Sequence, residues 1–75
     1  MDKLVASIPK NRREQVQVRL TEYKGHRLVD LRVFAQTARG PDLVPTRRGI
    51  CVRLALVPDL IRALEQAATE NERGE

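Results

Sequence analysis

From Glu14 to Tyr23 apolar and polar side chains alternate, with Val16, Val18 and Leu20 on one side and Gln15, Gln17, Arg19 and Thr21 on the other. Period two with β-branched residues predicts a half-buried strand. Lys24-Gly25 follows as a turn, since glycine tolerates the positive φ of a tight hairpin. Alternation resumes from Arg27 to Gln36, where Val29, Leu31, Val33 and Ala35 share one face and Leu28, Asp30, Arg32 and Phe34 the other. Arg39-Gly40-Pro41-Asp42 predicts a second turn. A short strand over Leu43–Thr46, tolerable only at an edge because of Pro45, leads to a third turn at Thr46-Arg47-Arg48-Gly49. A last strand runs from Ile50 to Leu56. Met1–Asn11, with Pro9 and little periodicity, reads as an arm.

At Pro58 the period changes. Proline suits the first turn of a helix, where its missing donor is not needed, and Asp59 suits the dipole there. Leu60, Ile61, Leu64, Ala67 and Ala68 form a stripe at helical spacing, while the chain beyond Thr69 is polar. The predicted fold is α+β: a four-stranded curved antiparallel sheet followed by one C-terminal helix. Residues 1–11 are the expected arm, 12–69 the domain and 70–75 a polar tail.

The chain has 75 residues, 41% of them apolar. Below about 70–80 residues a single core rarely supplies more than ~3–5 kcal/mol, so such chains add disulfides, a metal or a partner. One cysteine, Cys51, and one histidine, His26, exclude an internal disulfide and a structural zinc site within one chain. No cofactor or metal is expected. Oligomerisation remains, and a homodimer joined through Leu60, Ile61, Leu64 and Ala68 buries what one helix cannot cover. No apolar run approaches the ~20 residues needed to cross a bilayer. Nothing between Met1 and Ala6 resembles a signal peptide, and a lone thiol fits a reducing compartment, so a cytoplasmic protein is expected.

Charge sharpens this picture. The net charge is +4, but residues 10–53 carry eleven Lys and Arg against four Asp and Glu, whereas residues 54–75 carry two against five. A basic body with an acidic end suggests an anion-binding surface. Single-stranded nucleic acid requires a cationic groove together with planar groups for stacking. Tyr23 and Phe34 are the two aromatic residues, so arginine must supply much of the contact. Each feature also has a plainer reading: Tyr23 as cross-strand packing, Phe34 as core, Arg47-Arg48 as a solvated turn. Asp30 is expected to pair with an arginine. Nothing joins a nucleophile to a base, and no phosphate-binding glycine loop is present, so an enzyme is not expected.

The order and spacing of several segments extend the reading. Ile8-Pro9-Lys10, Val16-x-Val18-Arg19-Leu20, Glu22-Tyr23-Lys24-Gly25, Val29-Asp30-Leu31-Arg32-Val33-Phe34, Pro45-Thr46-Arg47-Arg48-Gly49-Ile50 and Leu56-x-Pro58-Asp59-Leu60 together resemble the single-stranded-DNA-binding domain of the transcriptional positive cofactor four family, in its short bacterial form. The resemblance implies a homodimer whose helices pair and whose curved sheets bind extended single strands. It implies sequence-tolerant binding in transcription regulation, with replication or repair as further settings, at the nucleoid of a bacterial cell, and transcription machinery as a further partner. Carried over segment by segment, together with the outward arginines, the implied nucleic-acid contacts are Arg19, Tyr23, Lys24, His26, Arg27, Arg32, Phe34, Arg47, Arg48 and Gly49. Two positions depart from the family: Ala35 stands where relatives often have a second aromatic, and His26 where they have a cation. Both are expected to weaken binding. Alternative readings are an RNA-binding regulator and a basic adaptor that docks an acidic protein.

Overall fold

The computed structural model describes residues 2–72. Four strands, β1 (Lys3–Pro9), β2 (Glu14–Tyr23), β3 (His26–Thr37) and β4 (Gly40–Arg53), form one antiparallel sheet in the order β1-β2-β3-β4. A 3-10 turn (Leu54–Leu56) leads into helix α1 (Val57–Glu72). The expected class is therefore found, but its four strands are not the expected four. The supposed arm is β1, an edge strand paired to β2 from Lys3↔Leu20 to Pro9↔Gln15. Its period is obscured by a register shift between Leu4 and Ala6 that makes Val5 an extra residue. The two short strands expected at Leu43–Thr46 and Ile50–Leu56 belong to one strand, β4.

The turn expected at Thr46–Gly49 is a bulge within that strand. Arg32 pairs with Gly49 and Phe34 with Pro45, so Val33 alone faces Thr46, Arg47 and Arg48. The backbone groups displaced by the bulge find other partners. The Thr46 hydroxyl donates to the Val33 carbonyl at 2.8 Å and accepts from the Arg48 amide at 3.1 Å, while Arg32 Nη1 donates to the Thr46 carbonyl at 3.1 Å. Gly49 is required where the strands rejoin. A Cβ there would lie 2.5 Å from the Leu31 carbonyl oxygen and 2.9 Å from Arg32 Cα, both backbone atoms that have no freedom to give. Gly49→Ala is accordingly expected to destabilise the fold by about 2 kcal/mol or more, read as a lower urea midpoint at fixed protein concentration. An unchanged midpoint would mean that the bulge relaxes freely.

Turn chemistry accounts for the remaining connections. Lys24 (φ 51) and Gly25 (φ 81) are both left-handed, the pattern of a two-residue type I′ hairpin between the paired Tyr23 and His26. The β3–β4 turn lies at Ala38-Arg39 and not over Arg39–Asp42; Gly40 and Pro41 already belong to β4, at the edge where a missing donor is harmless. The 3-10 turn takes Leu54 and Leu56 out of the sheet, so the last expected strand ends at Arg53. The helix continues through the first residues of the expected tail to Glu72, and the rest of that tail lies outside the described residues.

One chain forms no core of its own among the described residues. Among the described residues no apolar side chain is buried, and α1 touches the 3-10 turn but makes at most marginal contact with the strands. Ile61 and Leu64 are 50% and 60% exposed. The radius of gyration is 14.5 Å, against about 11 Å for a compact domain of this length. Apolar sheet residues Ile8 and Ile50 are equally open.

Candidate nucleic-acid interface

Register decides which side chains share a face. Val16↔Val33, Val18↔Leu31, Leu20↔Val29, Val29↔Val52 and Leu31↔Ile50 place the apolar rows together. The opposite face carries Gln15↔Phe34, Gln17↔Arg32 and Arg19↔Asp30 from β2 and β3, extended on β4 by Cys51 and Arg53. Tyr23 and His26, paired at the hairpin end, fall on this polar face by alternation. The outward assignment of Gln17, Arg19, Arg32 and Phe34 is thus what the register produces. Arg27 departs from it: paired with Glu22, it stands on the other side of the sheet and lines a hollow with Lys3, Leu20 and Glu22.

The polar face is held by its own network. Gln17, 7% exposed, donates from Nε2 to Gln15 Oε1 at 2.8 Å, and its Oε1 accepts from Arg19 Nη1 at 2.6 Å. This chain fixes Arg19, whose guanidinium lies 5.6 Å from the Phe34 ring centroid. The pairing expected for Asp30 is with Arg32, by two hydrogen bonds of 3.0 and 2.9 Å. That bond pair pushes the Arg32 pKa further up from its ordinary value. With Nε, Nη2 and Nη1 all engaged, Arg32 has most of its edge occupied, and what it offers a ligand is its plane. Arg19 and Phe34 likewise present flat groups, so this face suits stacking more than phosphate pairing.

Cations suited to phosphate stand around it. Lys24 sits on the exposed hairpin with its Nζ 5.3 Å from the Tyr23 ring centroid. Among the described residues Lys24, Arg47 and Arg53 take part in no salt bridge, whereas Arg48 is ion-paired to Glu14. Arg47 and Arg48 are therefore not the equivalent tips of a turn. Arg53, opposite Leu28 on the polar face, was absent from the expected contacts, although its outward place in the Ile50–Leu56 alternation was legible. Lys10, Asn11 and Glu14 escaped attention because their segment read as an arm or strand start. Asn11 Oδ1 accepts from the Arg13 amide at 3.0 Å, and the Lys10 and Asn11 amides donate to the Glu14 carbonyl, which closes a tight β1–β2 loop. Hydrogen bonds from Arg48, then Asn11, then Lys10 hold the Glu14 carboxyl down at about 2. Its contribution to stability is complete above the ordinary value of 4.5 and disappears only as pH falls through about 2.

An open four-stranded meander with a basic, partly aromatic face and a trailing amphipathic helix defines a class of small nucleic-acid-binding folds. The family model for the transcriptional coactivator p15 (PC4) matches residues 10–63, and the chain belongs to that family. A PC4 homologue from Burkholderia pseudomallei is similar over nearly its whole length. In its tetragonal crystal form the TM-score is 0.84 at 32% identity, covering 91% of this chain and 98% of that one. In its orthorhombic form the TM-score is 0.81 at 32% identity, with 88% of each chain covered. A bacteriophage T5 homologue of the eukaryotic coactivator, implicated in recombination-dependent DNA replication, shares the fold with a TM-score of 0.74 at 22% identity, over 95% of this chain and 81% of its own. A search of curated proteins finds no match. No helix among the described residues is long and apolar enough to cross a membrane.

Proposed function

We propose that this protein is a sequence-tolerant single-stranded DNA-binding protein that acts as a homodimer in transcription regulation, and in replication or repair. The observation that carries the reading is the polar face itself. It gathers the Arg19 and Arg32 guanidiniums and the Phe34 ring on one side of the sheet and ends at the Tyr23-Lys24 hairpin. Flat groups in a row accept successive bases of any identity, and the surrounding cations follow the backbone. Membership of the PC4 family supports the same reading. That no apolar side chain is buried among the described residues of one chain supports the dimer, because a partner's helix is what such a surface needs. On this reading the protein is a binder and not a catalyst. It works in the cytoplasm, on exposed strands of the nucleoid in a bacterial cell.

Fluorescence anisotropy of labelled 20-mers, as single-stranded DNA, duplex and RNA across a salt series, tests this. Tighter binding to single-stranded DNA than to duplex is expected, with a log–log salt slope near −0.7 for each phosphate contacted. Arg47→Ala combined with Arg48→Ala is expected to weaken single-strand binding several-fold and flatten the slope by about 1.4, two phosphates' worth. Equal binding to duplex and single strand would redirect attention to an acidic protein partner, and preference for RNA would change the ligand.

A further inference from the structure

We propose that the corner between the β1–β2 loop and the β4 bulge is a phosphodiester subsite, in which the Glu14 carboxylate holds the place of a backbone phosphate until a bound strand displaces it. The inference rests on the single-strand-binding reading and deepens it. Three donors from two separate elements converge on one carboxylate. Lys10 Nζ and Asn11 Nδ2 reach Glu14 Oε1 at 3.1 and 2.8 Å, and Arg48 Nη2 donates to Oε2. An ammonium, an amide and a guanidinium arranged around two anionic oxygens form a donor set equally suited to the two non-bridging oxygens of a phosphodiester.

Neighbouring features fit a strand and not merely an internal clasp. The Lys10 and Arg48 side chains are 44% and 57% exposed while Glu14 is 17% exposed beneath them, so a strand would reach the corner by way of its two cations. Beside it lies a hollow of about 520 Å³ lined by Asn11, Arg12, Arg13, Glu14, Ala35 and Gln36, within the size range of ligand clefts. Among the described residues Arg12 and Arg13 form no salt bridge there. Glu14 pairs with Ala35 in the row next to Gln15 and Phe34, with side chains that alternate to the other side of the sheet. A strand leaving the polar face past Phe34 and turning over the rim of the sheet meets this corner. Glu14 stays ionised until about pH 2, so the exchange is carboxylate for phosphate and needs no proton.

The consequence is an affinity-limiting residue inside the site. Glu14→Gln retains an acceptor for Asn11 but removes the competing charge. With oligo(dT) of 20 nucleotides, the variant is expected to bind about two- to five-fold tighter at low salt, the ratio corresponding to one exposed ion pair. Its salt slope should stay near that of the unaltered protein, in which a bound strand already places the same phosphate there, and Lys10→Ala in the Glu14→Gln background should reverse part of the gain in affinity. Weaker or unchanged binding by Glu14→Gln would mean that Glu14 only braces the loop. A measurement on the unaltered protein guards against misfolded variants: the side-chain amide resonance of Asn11 should shift on titration with the same oligonucleotide. If the Arg19 and Phe34 signals move while Asn11 does not, this subsite is wrong and the single-strand reading survives. If the oligonucleotide moves none of them, both fall.

Discussion

Leu64→Glu is expected to abolish the fold at micromolar concentration, not merely to loosen a dimer. A single copy leaves Ile61 and Leu64 at least half exposed and buries no apolar side chain among the described residues. Fixing the backbone of each residue costs about 1–2 kcal/mol, and only burial on a comparable scale offsets it. A sheet with a detached helix lacks that burial, so in the proposed homodimer the partner's contribution becomes part of folding itself. Unfolding of the unaltered protein should then be a two-molecule event, with a melting temperature that rises with protein concentration. A glutamate at position 64 would have to be buried uncompensated in such an interface, at a cost of several kcal/mol. Circular dichroism and light scattering on Leu64→Glu should show a chain that has lost strand signal and runs as a monomer. A folded dimer with an unshifted melt would place the interface elsewhere, and a folded monomer would refute the coupling.

The stripe that carries this prediction was legible because helical period depends on local sequence alone. So were β2, β3 and their hairpin, where alternation runs unbroken for ten residues on each side of Lys24-Gly25. The failures all lie where the pattern is interrupted by an element that only tertiary pairing explains. β1 contains Val5 as an extra residue and ends in Pro9, so its period reads as none, although its partner β2 supplies the register. Pro45 and the run Thr46–Gly49 look like strand end and turn, since proline, arginine pairs and glycine serve both turns and bulges. Distinguishing the two requires the Thr46 hydroxyl to be seen bridging β3 and β4. The expected number of strands thus came out right although two of its members were halves of one.

For the candidate site the same division holds. Faces follow from alternation, so Arg19, Arg32 and Phe34 could be grouped without coordinates, and the same parity already set Arg27 on the Val29 face; it joined the expected contacts through the family resemblance, and its pairing with Glu22 agrees with the alternation. Which cations are occupied is not a property of sequence at all. Arg48 and Glu14 are 34 positions apart, and only the bulge brings them together. For Asp30 an arginine partner was legible from period two, but that it is Arg32 on its own strand and not Arg19 across from it came only from the structure.

Phe34→Leu separates the two physical terms of binding. Leucine keeps an apolar side chain opposite Gln15 and Pro45 and tolerates a strand, but it has no flat face. If Phe34 stacks on a base with Arg19 positioned 5.6 Å from its ring, its loss removes ~1–3 kcal/mol, or roughly 5- to 150-fold in affinity for single-stranded DNA. The salt slope should not change, because no phosphate contact is touched. This pattern is the reverse of that expected for Arg47→Ala/Arg48→Ala, where the slope itself falls. A packing role for Phe34 makes a different prediction: the melt drops, and the affinity of the folded fraction stays as it was. Measuring both the melt and the salt-dependent anisotropy on the same preparation decides between them. An affinity loss accompanied by a flatter slope would mean that Phe34 acts by holding Arg19 in place, and the larger share of the binding free energy would then be electrostatic.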